Sequence, residues 1–171
     1  MYTQPRSKPY HISETKPSEV LAILDINNAA VPAVNYLKLS ELKNICAESS
    51  YFLSVSLQSE LAGFVLALRE DALYASVNYR WFASRYPRFL YIDRIVIAPR
   101  FQSCGIGRQL YDHLASLERG RSKTLLCEVN LRPKNTNSLL FHKGYGFQQV
   151  GVQETEAGAK KVAMMEYSIG S

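Results

Sequence analysis

Apolar residues recur every three or four positions in four stretches of the chain, a spacing that predicts four amphipathic helices. The strongest pattern covers residues 106–118, where Ile106, Leu110, Leu114 and Leu117 form one apolar stripe. The remaining predicted helices cover residues 17–28, a short segment capped by Ser40, and residues 135–143.

Runs of β-branched and aromatic residues predict seven strands before, between and after these helices. The strongest run covers residues 89–98 and is predicted to place Leu90, Ile92 and Val96 on one face. The other predicted strands cover residues 10–13, 51–57, 61–68, 124–130, 148–153 and 161–169. This order of strands and helices predicts a single mixed α/β domain, with a hairpin turn after residue 57.

Residues 70–88 are aromatic, basic and without a clear period, which predicts a long loop with one helical turn near Asn78–Ser84. A loop of this length in a small domain more often has a function, such as ligand binding, than none. Its aromatic residues Tyr79, Trp81 and Phe82 have two interpretations: they line a pocket, or they anchor the loop.

Composition narrows the classes of protein that this domain can belong to. The 171 residues carry a formal net charge of +5, but the basic residues are dispersed, so the charge gives no reason to expect a nucleic-acid partner. No apolar run reaches the roughly 18 residues that span a membrane, and residues 1–9 are followed by no apolar stretch typical of a secretory signal. Three cysteines at unrelated spacings predict neither disulfides nor a metal site and fit a reducing cytoplasm.

A loop with two glycines, residues 100–108, joins the strongest strand to the strongest helix. The unpaired N–H groups and partial positive charge of a helix N-terminus attract anions, and Gly105 and Gly107 would let a pyrophosphate approach the backbone. The loop lacks the third glycine of a dinucleotide fingerprint, since Leu110 stands there, and it lacks the lysine of a P-loop. A tight strand-to-helix turn without a ligand would explain the glycines equally well.

The residues around these glycines extend the pattern. The chain has Gln102-x-x-Gly105-x-Gly107 after a strand, then Asn135-x-x-Ser138, and then a Phe-His pair ahead of Gly-Phe at 146–147. Together these features resemble the acyl-CoA-binding pattern of the GNAT superfamily of N-acetyltransferases. The resemblance covers residues 89–167 and is strongest to a poorly characterised bacterial branch. It implies a central, mostly antiparallel sheet of six to seven strands, about four flanking helices and two central strands that splay apart.

The resemblance also implies a function, the transfer of an acetyl or other acyl group from acetyl-CoA to a primary amine by direct attack, without a metal. Residues 1–88 would form the acceptor side and residues 89–171 the CoA-binding side. The cofactor-binding positions that it implies are Ile95, Val96, Ile97, Gln102, Ser103, Cys104, Gly105, Ile106, Gly107, Arg108, Asn135 and Ser138.

Two chemical tasks remain, protonating the departing thiolate and deprotonating the amine. The family's usual proton donor is a tyrosine on its fourth helix, but His142 stands at that position, so His142 is the candidate donor and Tyr145 the alternative. Asp93, within an apolar strand, and Glu128, on the next strand, are candidate bases, because a buried carboxylate is costly without a partner. An ion pair with Arg94 would also explain Asp93.

Two functions are compatible with the resemblance, and a third, nucleic-acid binding, would rest on the net charge alone. One is an active, cytoplasmic N-acetyltransferase acting on a small-molecule or protein amine. The other is a non-catalytic acyl-CoA-binding module that has lost the tyrosine donor. In the GNAT superfamily the last two strands often support a homodimer, and the acceptor is set by segments whose pattern predicts little here, residues 25–38 and 70–88.

Overall fold

The computed structural model describes residues 10–170 and forms one seven-stranded sheet with helices on both faces. The predicted lack of a secretory signal concerns residues 1–9, which lie outside the described residues. The strands are β1 (Tyr10–Glu14), β2 (Tyr51–Leu57), β3 (Glu60–Arg69), β4 (Leu90–Ile97), β5 (Thr124–Arg132), β6 (Gln148–Thr155) and β7 (Lys160–Ser168). The helices are α1 (Val20–Ala29), α2 (Leu39–Glu48), α3 (Val77–Ala83), α4 (Ile106–Glu118) and α5 (Thr136–Tyr145).

The strands lie in the order β1-β2-β3-β4-β5-β7-β6, and every neighbouring pair is antiparallel except β4 and β5. This confirms the predicted mixed α/β fold with a mostly antiparallel sheet. Apolar side chains of α4 and α5 cover one face of the sheet, and those of α1, α2 and α3 cover the other. Within residues 10–170, no helix is both long and apolar enough to cross a membrane.

The start of α2 differs from the prediction. Ser40 is not its N-cap, since the helix already begins at Leu39. The backbone N–H of Lys38 donates to Glu41 Oε2 at 2.7 Å, so a carboxylate inside the first turn caps the helix. A rule that looks only for Ser, Thr, Asp or Asn at the cap position misses this arrangement.

The segment predicted as a loop with one helical turn near Asn78–Ser84, residues 70–88, contains a two-turn helix, α3. Ser76 caps this helix, because its Oγ accepts a hydrogen bond from the Tyr79 backbone N–H at 3.3 Å. Tyr79 and Phe82 are buried in the core, and Trp81 packs against Gly151 of β6. Of the two interpretations, the structure therefore favours the one in which these aromatic residues anchor the segment.

A β-bulge at Asp93 changes the faces of β4. The two neighbours of Asp93 lie opposite consecutive residues of β3, so Asp93 itself has no residue opposite it. The extra residue shifts the alternation, and Val96 packs beneath α1–α3 while Leu90 and Ile92 pack beneath α4 and α5. The predicted common face of these three residues is therefore wrong, because strict alternation takes no account of an inserted residue.

The strands β4 and β5 run parallel but pair only over Leu90–Ile92 and Leu125–Cys127. Beyond the bulge both strands continue without pairing to each other, β4 as far as Ile97. The predicted splay of two central strands is thus present in the sheet. It leaves backbone N–H and C=O groups along the second half of β4 available to an extended ligand.

Candidate active site

A cleft of about 890 Å³ fills the opening between β4 and β5. Its loop end lies against residues 100–108, the N-terminus of α4 and α5, and its α1 end lies beneath α1 and α3. The predicted catalytic and cofactor-binding residues line this cleft, except the alternative donor Tyr145 and Cys104, which is exposed on the other side of the loop. Segments that are distant in sequence therefore meet in one place, while the roles of their residues stay predictions.

The loop end is built around two glycines that have different structural reasons. Gly105 precedes α4 with φ of +79°, a left-handed conformation that glycine adopts without strain. A Cβ on Gly107 would lie 2.9 Å from the ring of Phe141, so glycine here lets α4 and α5 pack closely. The first hydrogen bond of the helix joins Gln109 N to Gly105 O at 3.2 Å, and the amides before it have no helical acceptor. These amides can bind an anion.

The polar side chains around the loop divide between the cleft and the outer surface. Gln102 donates from Nε2 to the Ile97 carbonyl at 2.9 Å and so holds the loop to the end of β4. Arg108 lines the cleft, whereas Arg100 forms an ion pair with Glu60 outside it. Only one of the two arginines that flank the loop is therefore placed to meet an anion in the cleft.

Glu128 lines the cleft, and only one of its two carboxylate oxygens is hydrogen-bonded. Its Oε1 accepts hydrogen bonds from Tyr91 Oη at 2.9 Å and from Asn78 Nδ2 at 3.0 Å. Its Oε2 is buried and has no hydrogen-bond partner among the described residues. Burial, and secondly repulsion from Asp93, raise the pKa of Glu128 to about 7. A carboxylate with this pKa can accept and release a proton at neutral pH.

Asp93 is engaged on both carboxylate oxygens. Oδ1 accepts a hydrogen bond from Tyr74 Oη at 2.5 Å, and Oδ2 accepts one from Arg94 Nε at 2.6 Å. The side chains of Asp93 and Arg94 are 5% and 7% exposed, and Arg94 also donates to Asn27 Oδ1 at 2.9 Å. A buried ion pair thus accounts for a carboxylate within an apolar strand. Through its charge, Asp93 also acts on Glu128.

His142 lies on α5 with a side chain that is nearly fully buried. Its Nδ1 lies 2.7 Å from the Ser138 carbonyl oxygen, which can only accept, so in the neutral ring this nitrogen carries the proton. Nε2 then accepts a hydrogen bond from Tyr111 Oη at 2.7 Å. Burial lowers the pKa of His142 below its usual value, which favours this neutral form. Tyr145, the alternative donor, donates to Asp112 at 2.9 Å and does not line the cleft.

Sequence patterns do not anticipate two further residues of the cleft. Tyr111 follows the apolar stripe of α4 by one position, and only its full burial and its contact with His142 reveal a hydroxyl group inside the cleft. Lys160 begins β7, more than 30 residues after Glu128, and lines the α1 end while its Nζ donates to Asn35 Oδ1 at 2.8 Å. No local motif marks Lys160, the first of two adjacent lysines after a turn, as a binding residue.

The chain resembles known proteins in sequence and in fold. The sequence profile of the acetyltransferase (GNAT) family matches residues 21–147. Ard1 from Thermoplasma volcanium aligns with a TM-score of 0.77 and 17% identity over 95% of this chain and 99% of that chain. The ribosomal-protein-S18-alanine N-acetyltransferase from Escherichia coli aligns with a TM-score of 0.71 and 18% identity over 95% of this chain and 96% of that chain. An aminoglycoside 6'-N-acetyltransferase complexed with coenzyme A aligns with a TM-score of 0.71 and 17% identity over 94% of this chain and 98% of that chain.

Proposed function

The chain belongs to the acetyltransferase (GNAT) family, and from this premise we propose that it transfers an acetyl or other acyl group from an acyl-CoA to a primary amine by direct attack. The cleft carries this proposal, because helix amides without a helical acceptor at its loop end and the Glu128 carboxyl group belong to one cavity between the splayed strands. Both substrates could therefore enter one cavity from opposite ends.

The loop end would hold the cofactor. Its pyrophosphate would lie on the amides of Ile106, Gly107 and Arg108, where unpaired N–H groups and the helix dipole favour negative charge. The pantetheine arm would run along β4 and form hydrogen bonds with backbone groups of Ile95 and Ile97, as an added strand does. This would bring the thioester to the middle of the cleft, beside Glu128.

Glu128 would act as the base. An ammonium group entering from the α1 end would give a proton to the free Oε2, and the neutral amine would then attack the thioester carbon. A backbone N–H of Val96 or Ile97 would stabilise the negative charge on the carbonyl oxygen. The carbon–sulfur bond breaks, and the thiolate that leaves requires a proton.

We assign the protonation of the departing thiolate to the hydrogen-bonded pair of Tyr111 and His142, in which the Tyr111 hydroxyl carries the proton that the thiolate would take. Tyr111→Phe keeps the packing of the ring and removes the hydroxyl, so we expect kcat to fall about 10- to 100-fold with little change in the affinity for acetyl-CoA. Steady-state kinetics and calorimetry measure the two quantities. Tyr145→Phe removes a hydroxyl outside the cleft and serves as the matched control. Full kcat in Tyr111→Phe would overturn the assignment.

The alternative function is that of an acyl-CoA-binding module without catalysis. It is favoured by one observation, that His142 is neutral, buried and already hydrogen-bonded through both ring nitrogens. Release of free CoA thiol from acetyl-CoA, followed with a thiol reagent across a panel of amines, separates the two functions. Amine-dependent release supports the transferase, whereas binding of acetyl-CoA without release in the presence of any amine supports the module.

The fold does not identify the acceptor. Two structural neighbours are named for different acceptors, a ribosomal-protein alanine and an aminoglycoside, although they share this fold. The identity of the acceptor therefore depends on the side chains at the α1 end of the cleft. A cytoplasmic location and a homodimer formed through β6 and β7 stay predictions.

A further inference from the structure

The α1 end of the cleft has an apolar wall on one side. Helix α1 and the segment that follows it contribute this wall, which consists of Ile26, Ala29, Ala30, Ala33 and Val34. Small and branched aliphatic side chains of this kind bury an aliphatic or aromatic group and offer it no hydrogen bonds. This wall can therefore take up an apolar part of a ligand.

This wall is fixed in place before any ligand binds. Asn28 exchanges two hydrogen bonds with the backbone of Leu37, each of 2.9 Å. From the opposite side of the cleft, Asn130 of β5 donates to the Pro32 carbonyl at 3.3 Å. Because side-chain amides satisfy backbone groups of this irregular segment, the wall is a preorganised surface.

The charged groups at this end do not add up to a negative surface. Asp93 and Arg94 neutralise each other across 2.6 Å. Glu128 is half protonated near pH 7, since its pKa is about 7. Lys160 forms no ion pair within residues 10–170, and it lies close enough to Glu128 for its charge to act on that carboxyl group. Even with Glu128 ionised, these four groups therefore carry no net negative charge.

Building on the proposed function, we infer that the acceptor is a small amino acid with an apolar side chain, whose amine faces Glu128, whose carboxylate pairs with Lys160 and whose side chain packs against the α1 wall. Asn35 holds the Lys160 ammonium at the cleft, which lowers the entropy cost of forming that pair.

Other classes of amine fit this end less well. A polyamine or an aminoglycoside would place several positive charges near Lys160, where no surplus of carboxylates compensates them. A lysine side chain or the N-terminus of a protein has no free carboxylate beside its amine, so neither would form an ion pair with Lys160, which would keep only its hydrogen bond to Asn35.

The test compares acceptors that differ by one group. Leucine, leucinamide and 3-methylbutylamine share the same apolar side chain, but only leucine carries a carboxylate, and spermidine represents the polycations. We expect kcat/KM, measured by thiol release at saturating acetyl-CoA, to be at least about 10-fold higher for leucine than for leucinamide. Equal or higher values for leucinamide or spermidine would overturn this inference and leave the proposed transferase intact.

Two variants at neighbouring positions test whether Lys160 causes the expected preference for leucine over leucinamide. Lys160→Met is expected to bring the ratio of leucine to leucinamide close to one, mainly through a higher KM for leucine. Lys161→Met is the matched control, because Lys161 interacts with Glu154 outside the cleft and should leave the ratio as it is. An unchanged ratio in Lys160→Met would contradict the inference. Absence of turnover with every amine would instead overturn the proposed function, and this inference with it.

Discussion

Replacing Glu128 with glutamine is expected to lower kcat by about 100-fold or more at pH 8, with the affinity for acetyl-CoA unchanged. The glutamine keeps the shape of the side chain and can still accept hydrogen bonds from Tyr91 and Asn78 at its oxygen. It cannot take a proton from the amine. Stopped or steady-state thiol release gives kcat, and calorimetry gives the affinity.

The pH dependence distinguishes a base from a residue that only supports the cleft. With Glu128 as base, kcat rises with pH through about 7 and then levels off. The hydrogen bond from Tyr91 lowers the pKa of Glu128, so Tyr91→Phe should move this rise to higher pH. A rise that stays in place in Tyr91→Phe, or that persists in Glu128→Gln, would contradict the role of Glu128.

As the pH rises, the free energy of unfolding should fall while kcat rises. The folded protein holds the Glu128 proton up to a pKa of about 7, whereas the unfolded chain releases it near the ordinary glutamate pKa of 4.5, so the free energy of unfolding falls as the pH rises through that interval. A glutamine at position 128 does not titrate, so Glu128→Gln should avoid this fall in the free energy of unfolding, which amounts to up to about 3 kcal/mol at pH 8. A Glu128→Gln protein that is inactive because it is unfolded would fail this expectation in a thermal melt.

The second large effect is expected at the loop end, where Gly105→Asp should abolish the binding of acetyl-CoA. The aspartate would put a negative charge where the pyrophosphate is proposed to lie, at the N-terminus of α4. Gly105→Asn is the matched control, because Asn and Asp both tolerate the left-handed backbone at this position and differ in charge. Both residues also favour the N-cap position, so both variants should fold.

Thermal melts with and without acetyl-CoA measure this effect. A ligand at 100 times its dissociation constant stabilises the folded state by about 2.7 kcal/mol, which raises Tm by roughly 5–10 °C in a protein of this size. The wild type should show this increase, Gly105→Asn should keep most of it, and Gly105→Asp should show none. Equal increases in the Asp and Asn variants would mean that no anion lies at this helix N-terminus.

The loop end of the cleft could be predicted from the sequence because its determinants are local. The strand, the loop with Gly105 and Gly107, and the helix after it follow one another within 30 residues, and each has its own signal in the spacing of apolar side chains. The dependence of the loop on neighbouring helices could not be predicted, since the contact between Gly107 and Phe141 exists only in the packed fold.

The centre and the α1 end of the cleft depend on contacts between distant residues. The bulge at Asp93 arises from the register between β3 and β4, which a single strand does not reveal. The raised pKa of Glu128 comes from burial and from Asp93 together, and neither is visible in a run of residues. Tyr111 and Lys160 carry no motif, and only the fold brings them into the cleft.

A calorimetric titration of the unmodified protein with acetyl-CoA tests the central claim, that the splayed cleft binds an acyl-CoA, most directly. We predict saturable binding of one acetyl-CoA per chain, with a dissociation constant between about 1 μM and 1 mM, the usual range for enzyme substrates. No heat of binding at several millimolar acetyl-CoA would contradict the claim and, with it, the proposed reaction.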